Sequence, residues 1–153
     1  MGRVVVKLGG GLITDKSRLC TVLPDRLTGL ANAIAAIQEA GKQVVLVHGA
    51  GSFGHLRARE WNLVGGRQSG PLNIETADGC SSQDEAVELV RSEMDTLNGH
   101  VTAALAEAGV GCSIHPPRDW VEGTGPSFTG NVQLLASDGE DVQVTYGDVV
   151  AVQ

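Results

Sequence analysis

Residues 3–17, RVVVKLGGGLITDKS, pass from a short β-branched run into three consecutive glycines. A run of this kind stopped by glycine reads as a buried strand, here Arg3–Leu8. The event recurs at residues 43–55, QVVLVHGAGSFGH, where a second buried strand over Gln43–His48 ends at Gly49-Ala50-Gly51. Between the two, Leu27, Leu30, Ile34 and Ile37 recur at helical spacing. Pro24 suits the first turn of that helix and Gly41 its stop. A strand, a helix and a strand in this order imply a parallel pair with a right-handed crossover. The fold class is α/β, a mostly parallel sheet sandwiched by helices.

Farther along, residues 64–82 are rich in Gly, Ser, Asn and Pro and read as a long loop. Helical periodicity returns from Asp84 to Gly109, where Val87, Val90, Met94, Leu97, Val101 and Leu105 form one apolar face. On that face Met94 reads as core. A short strand is expected near Cys112–His115, ended by Pro116-Pro117. Asn131–Leu135 reads as a further strand, and Val142–Tyr146 and Val149–Val152 as strands flanking Gly147-Asp148. No repeat or linker interrupts residues 1–153, so one domain is expected.

The composition narrows the functional classes. Aromatic residues make up 3% of the chain, so its core must be built from Val, Leu, Ile and Ala. A net charge of −7 disfavours nucleic acid as a partner, because that partner requires clustered Lys and Arg. The charge is uneven, with Arg3, Lys7, Lys16 and Arg18 against Asp15 in the first twenty residues. A locally basic end in an acidic chain suits a small anion. The acids of residues 75–110 read as a solvated helix face. Cys20, Cys80 and Cys112 have no metal-ligand spacing and read as thiols of a reducing cytosol. No run approaches the ~20 apolar residues of a membrane span, and the apolar start is too short for a signal peptide. The expected location is the cytoplasm, away from membranes.

In a parallel sheet both glycine turns lie at the carboxyl ends of their strands, the edge at which open α/β sheets bind ligands. Glycines let backbone N–H groups approach phosphate oxygens with no Cβ in the way. A helix starting near Phe53 would add its positive N-terminus. Lys7 ends an apolar strand, where an unpaired charge is costly, so an anionic partner is expected, either a protein carboxylate or a phosphate. Lys16 lies just past the first turn, and His55 ends the second, where it can donate to a phosphate oxygen. Residues 49–54 also match the G-x-G-x-x-G dinucleotide fingerprint. That fingerprint wants an acid at the end of the next strand, and Glu75 lies in the loop instead. His48 reads as a structural strand end.

These motifs resemble the amino acid kinase superfamily. KLGGGLITDKS at 7–17, VHGAGSFGH at 47–55 and TYGDVV at 145–150 are most similar to isopentenyl phosphate kinases. The string ending in His55 is the specific part, and fosfomycin-phosphorylating kinases share a similar one. The resemblance implies ATP as phosphoryl donor, with Mg²⁺, and an alkyl monophosphate such as isopentenyl phosphate as acceptor. It places Lys7, Leu8, Gly9, Gly10, Gly11 and Gly51 on the ATP phosphates. It places Ala50, Gly54, His55 and Gly147 on the acceptor, and gives Lys7, Lys16 and His55 the catalytic charge neutralisation. No Mg²⁺ ligand is identified. Position 11 is Gly where the family often has Ser. Position 50 is Ala where it usually has Gly, and its Cβ is expected near the acceptor phosphate. The helix over Val87–Leu105 and residues 61–63 are expected to wall an apolar pocket for the acceptor's tail.

The resemblance covers the N-terminal half of that family's domain, so the chain reads as a truncated, phosphate- and acceptor-binding half. An open sheet edge makes a homodimer the expected assembly. Two alternatives stand beside the prenyl reading: a fosfomycin-type kinase, and a non-catalytic module that binds phosphate ligands or pairs with a partner.

Overall fold

The computed structural model describes residues 2–69 and 79–151. Its frame is a four-stranded, wholly parallel sheet in which Arg3–Leu8 pairs with Gln43–His48, that strand with Val142–Tyr146, and that one in turn with Cys112–Ile114. The strands are β1 (Arg3–Leu8), β2 (Gln43–His48), β3 (Cys112–Ile114) and β6 (Val142–Tyr146). Among the described residues the α-helices are α1 (Gly10–Ile13), α2 (Pro24–Glu39), α3 (Gly51–Glu60) and α4 (Gln83–Glu107). Pro24 does open α2, and Gly41, at φ +74°, ends it in the left-handed region. Ser82 caps α4 by accepting the Glu85 amide at 3.2 Å, and Asp84 and Glu85 oppose the helix dipole there.

The core lies between α2, α4 and one face of the sheet. Leu8, Val44, Leu46, Val142 and Val144 meet Leu27, Ala31 and Ile34 of α2 and Met94, Leu97, Val101 and Leu105 of α4. The apolar face expected for residues 84–109 is the buried face of α4, and Met94 is fully enclosed.

Three expectations about the elements need correction. β1 is not buried: only Leu8 is, and Val5 is 68% exposed. β1 is the edge strand, so its Arg3–Val5–Lys7 side meets little beyond the turn at Val132–Ala136, whose Ala136 carbonyl accepts from Arg3 at 2.9 Å. Residues 131–135 form that 3₁₀ turn rather than a strand, because the Asn131 side chain accepts from the Gln133 amide and starts a turn. Over residues 149–151 the pairing is a single bridge, Glu122 to Ala151, since Asp148 turns the chain by capping the Val149 amide. A small antiparallel pair, β4 (Val121–Glu122) and β5 (Thr129–Gly130), was not anticipated. Residues 70–78 of the 64–82 loop, Glu75 among them, and Val152 lie outside the described residues.

Candidate functional site

The parallel order puts the ends of β1, β2 and β6 along one sheet edge, and the three motif loops leave from it. Gly9–Gly11 follows β1, Gly49–Gly51 follows β2, and Gly147-Asp148 follows β6. The first two turns touch through their backbones. A Cβ on Gly10 would overlap the Gly51 amide nitrogen, and one on Gly49 would lie 2.9 Å from the Gly10 nitrogen. Gly51 also needs to be glycine for its conformation, at φ +55°. Among the described residues, no protein acceptor meets the N–H groups of Gly9, Gly10, Gly11, Ala50 or Gly51.

A cavity of about 400 Å³ opens at this junction, lined by Gly10, Gly11, Lys16, Gly51, Ser52, His55 and Leu56. Five sequence-predicted residues therefore converge. The Lys16 side chain lies across Gly11, in the space a side chain at that position would fill. This explains physically what a glycine there permits. His55 is exposed in the first turns of α3, on the cavity side. Hydrogen bonds from the Ser17 hydroxyl and amide hold the neighbouring Asp15 carboxyl below the usual carboxylate range, with Arg18 adding to the effect.

Other predicted residues are placed differently. Lys7 is exposed on the edge strand, so no desolvation demands a partner, and among the described residues no carboxylate pairs with it. Leu8 is a core side chain, and its carbonyl accepts the Gly49 amide at 2.9 Å. The Ala50 Cβ packs against the core cluster rather than lining the cavity. Gly54 is buried against α4, where a Cβ would stand 2.9 Å from Val90 Cγ1. Val90 and Met94 belong to the same buried cluster, not to an open pocket wall. Gly147 donates its amide to the His48 carbonyl at 3.0 Å and has open space around its Cα.

Residues that the motifs did not single out hold the site together. Thr14 is buried and bridges the two turns: it donates to the Gly10 carbonyl at 2.7 Å and accepts the Ser52 amide at 3.0 Å. Behind the third loop, Arg118 pairs with Asp148 at 2.8 Å and with Asp95, and the Tyr146 hydroxyl donates to Asp95 at 3.0 Å. Burial, then the Asp95 hydrogen bond, pushes the Tyr146 hydroxyl up to about 12. The only sequence signal for Thr14 was its place between a glycine turn and Asp15-Lys16. Arg118 carried none, because its partners are remote in sequence.

Among the described residues, no set of side chains fits a magnesium ion held by the protein itself. The Asp148 carboxylate is taken up by Arg118 and the Val149 amide, and Asp15 is bonded to Ser17. Among the described residues, no three acidic, histidine or cysteine side chains come together. The cysteines form no disulfide, and burial followed by the nearby Asp141 raises the Cys112 thiol to about 11. No described helix is long and apolar enough to cross a membrane.

Residues 2–149 match the amino acid kinase family. Among named relatives, an isopentenyl phosphate kinase of Thermoplasma acidophilum is 31% identical over 147 residues, covering 95% of this chain and 53% of its own length. One from Haloferax volcanii is 36% identical over 117 residues, 76% of this chain and 42% of that protein. A solved isopentenyl phosphate kinase structure superposes with a TM-score of 0.79 at 27% identity, covering 99% of this chain and 59% of that one. The T. acidophilum kinase in its product complex superposes at 0.72. The chain spans about half the length of the relatives it matches.

Proposed function

Because the chain belongs to the amino acid kinase family, we propose that it is the phosphate-binding half of a kinase transferring the γ-phosphoryl group of ATP to isopentenyl phosphate. One observation carries the proposal: Gly10, Gly11, Lys16, Gly51 and His55 line a single cavity at the junction of two glycine turns. The likeness to isopentenyl phosphate kinases supports the choice of acceptor.

The Gly9–Gly11 amides and Lys16 take the ATP phosphates, and the α3 N-terminus with His55 takes the acceptor phosphate. An oxygen of the acceptor phosphate attacks the γ-phosphorus. The bond to the β–γ bridging oxygen breaks, and its electron pair leaves on ADP. The acceptor is already an oxyanion at neutral pH, so no strong base is required. The protein's contribution is positioning and charge neutralisation by Lys16, His55 and backbone N–H groups. The functional assembly in this reading is a cytoplasmic homodimer, with the open edge of β1 favouring pairing.

The test is phosphorus NMR of the chain with Mg-ATP and isopentenyl phosphate, repeated in His55→Ala. The expected result is a growing diphosphate signal that falls by about two orders of magnitude in the variant. An acceptor resonance shifted in a His55-dependent way without product would make this half a binding module. Turnover of fosfomycin instead would move the acceptor assignment. Absence of all three signals would refute the proposal.

A further inference from the structure

The two glycine turns leave different strands, and the sheet spacing of ~4.8 Å sets only their gross separation. Finer control is needed, because phosphoryl transfer requires reacting atoms within about 3–3.5 Å, and a 1 Å error costs ~100-fold. Two buried hydroxyl residues stand where that control is exerted. Thr14 Oγ1 sits between the turns, donating to the Gly10 carbonyl and accepting the Ser52 amide. Ser52 then reaches the loop that bears Lys16. Its hydroxyl donates to the Thr21 carbonyl and accepts the Thr21 amide, each at 3.3 Å, and its carbonyl accepts the Cys20 amide at 3.0 Å. The base of that loop is closed by the Asp15 amide on the Thr21 carbonyl at 2.9 Å.

We propose that Thr14 and Ser52 form a cross-tie that locks both glycine turns and the Lys16 loop into one unit, setting the separation of donor and acceptor phosphates. This rests on the reading that the turns take those two phosphates. Both are positioning residues. The Thr14 hydroxyl is bound on both sides by backbone, so it presents no free hydrogen to a ligand. Its effect passes through the Gly10 carbonyl and the Ser52 amide, one on each turn. Ser52 lines the cavity, but its hydroxyl turns back to Thr21.

Thr14→Val keeps the shape of the side chain and removes both hydrogen bonds, leaving the Ser52 amide buried without an acceptor. Thr14→Ser keeps the hydroxyl. Amide hydrogen exchange by NMR at Gly10, Gly51, Ser52 and Thr21 is read against global stability from urea unfolding. In Thr14→Val, exchange at Ser52 and Thr21 is expected to quicken by at least about tenfold beyond what global stability accounts for. Thr14→Ser is expected to stay within about threefold of the parent chain. With Mg-ATP and isopentenyl phosphate, Thr14→Val should keep its affinity for each alone within about threefold. It should lose at least about tenfold in transfer, or in the strengthening of one ligand's binding by the other.

Unchanged exchange in Thr14→Val overturns the cross-tie. So does a Thr14→Ser variant as damaged as Thr14→Val, or a loss of single-ligand affinity that merely follows stability. If the parent chain takes up neither ligand, the kinase reading falls, and the exchange measurement by itself decides whether the cross-tie exists.

Discussion

His48 ends β2 almost wholly enclosed, its ring stacked on Tyr146 with centroids 5.1 Å apart. Its Nε2 lies 3.1 Å from Asn98 Oδ1 and its Nδ1 3.2 Å from the Gly49 carbonyl. Burial favours the neutral ring and lowers its pKa, outweighing the two hydrogen bonds that act in the other direction. A depressed histidine contributes stability that is present above its unfolded pKa of about 6.5 and is lost as pH falls through the folded value. Urea midpoints should therefore drop on acidification below pH 6.5, with a limiting slope of about 1.4 kcal/mol per pH unit from this proton. In His48→Gln that slope should flatten, and an unchanged slope would remove His48 as the cause. The structural role of this residue was legible in the sequence, because a histidine closing an apolar strand has no other setting. Thr14 was not legible as a bridge: its two partners belong to different turns, and only the folded sheet brings them together.

At the scale of elements, α3 and α4 pack closely because Gly54 brings its bare Cα against Val90 and Met94. Gly54→Ala gains helix propensity of about 1 kcal/mol but forces the stiff Val90 side chain to move, at a cost of about 1–3 kcal/mol. The expected net effect is a loss of up to about 2 kcal/mol in urea unfolding. In a Val90→Ala background the same change should be neutral or stabilising, a coupling of about 1 kcal/mol or more. Additivity of the two substitutions would contradict this packing account. The long elements were readable because their periodicity is strong: Leu27 to Ile37 marks α2, and Val87 to Leu105 marks α4. The exposure of β1 was not, since Arg3–Leu8 has the composition of a central strand and only topology makes it an edge. Val121–Glu122 and Thr129–Gly130 are too short to carry any alternation.

For the whole molecule, Arg118 ties α4 to the loop after β6. It bonds Asp95 and the Arg91 carbonyl on α4 and Asp148 beyond β6, whose side chain has no solvent exposure. Burial raises the Asp148 pKa, while the Val149 amide and Arg118 act to lower it. Arg118→Met leaves that carboxylate buried without its cation, at a cost of about 3 kcal/mol, the lower end for such losses because Arg118 is itself partly exposed. The sign of the pH effect follows. With its pKa raised further, Asp148 destabilises the folded chain above that pKa and ceases to do so once protonated. The penalty should therefore shrink as pH falls from 7 towards 4, and Asp148→Asn in the Arg118→Met background should recover most of it. A penalty independent of pH would assign the loss to packing of the arginine stem instead.

The backbone contact between Gly10 and Gly51 also limits how this sequence can drift. A side chain at Gly10 meets main chain of the second turn, and one at Gly51 meets the Thr14 hydroxyl and then the Gly10 carbonyl at 2.6 Å, so even with Thr14 replaced, backbone that no second substitution can make smaller stands in the way. A library randomised at both positions should return glycine at each, with no compensated pairs. The neighbouring Gly11 differs: the flexible end of Lys16 occupies its space and can swing aside. Variation in this loop should therefore be found at position 11, where it would reset the path of a lysine without disturbing the meeting of the two turns.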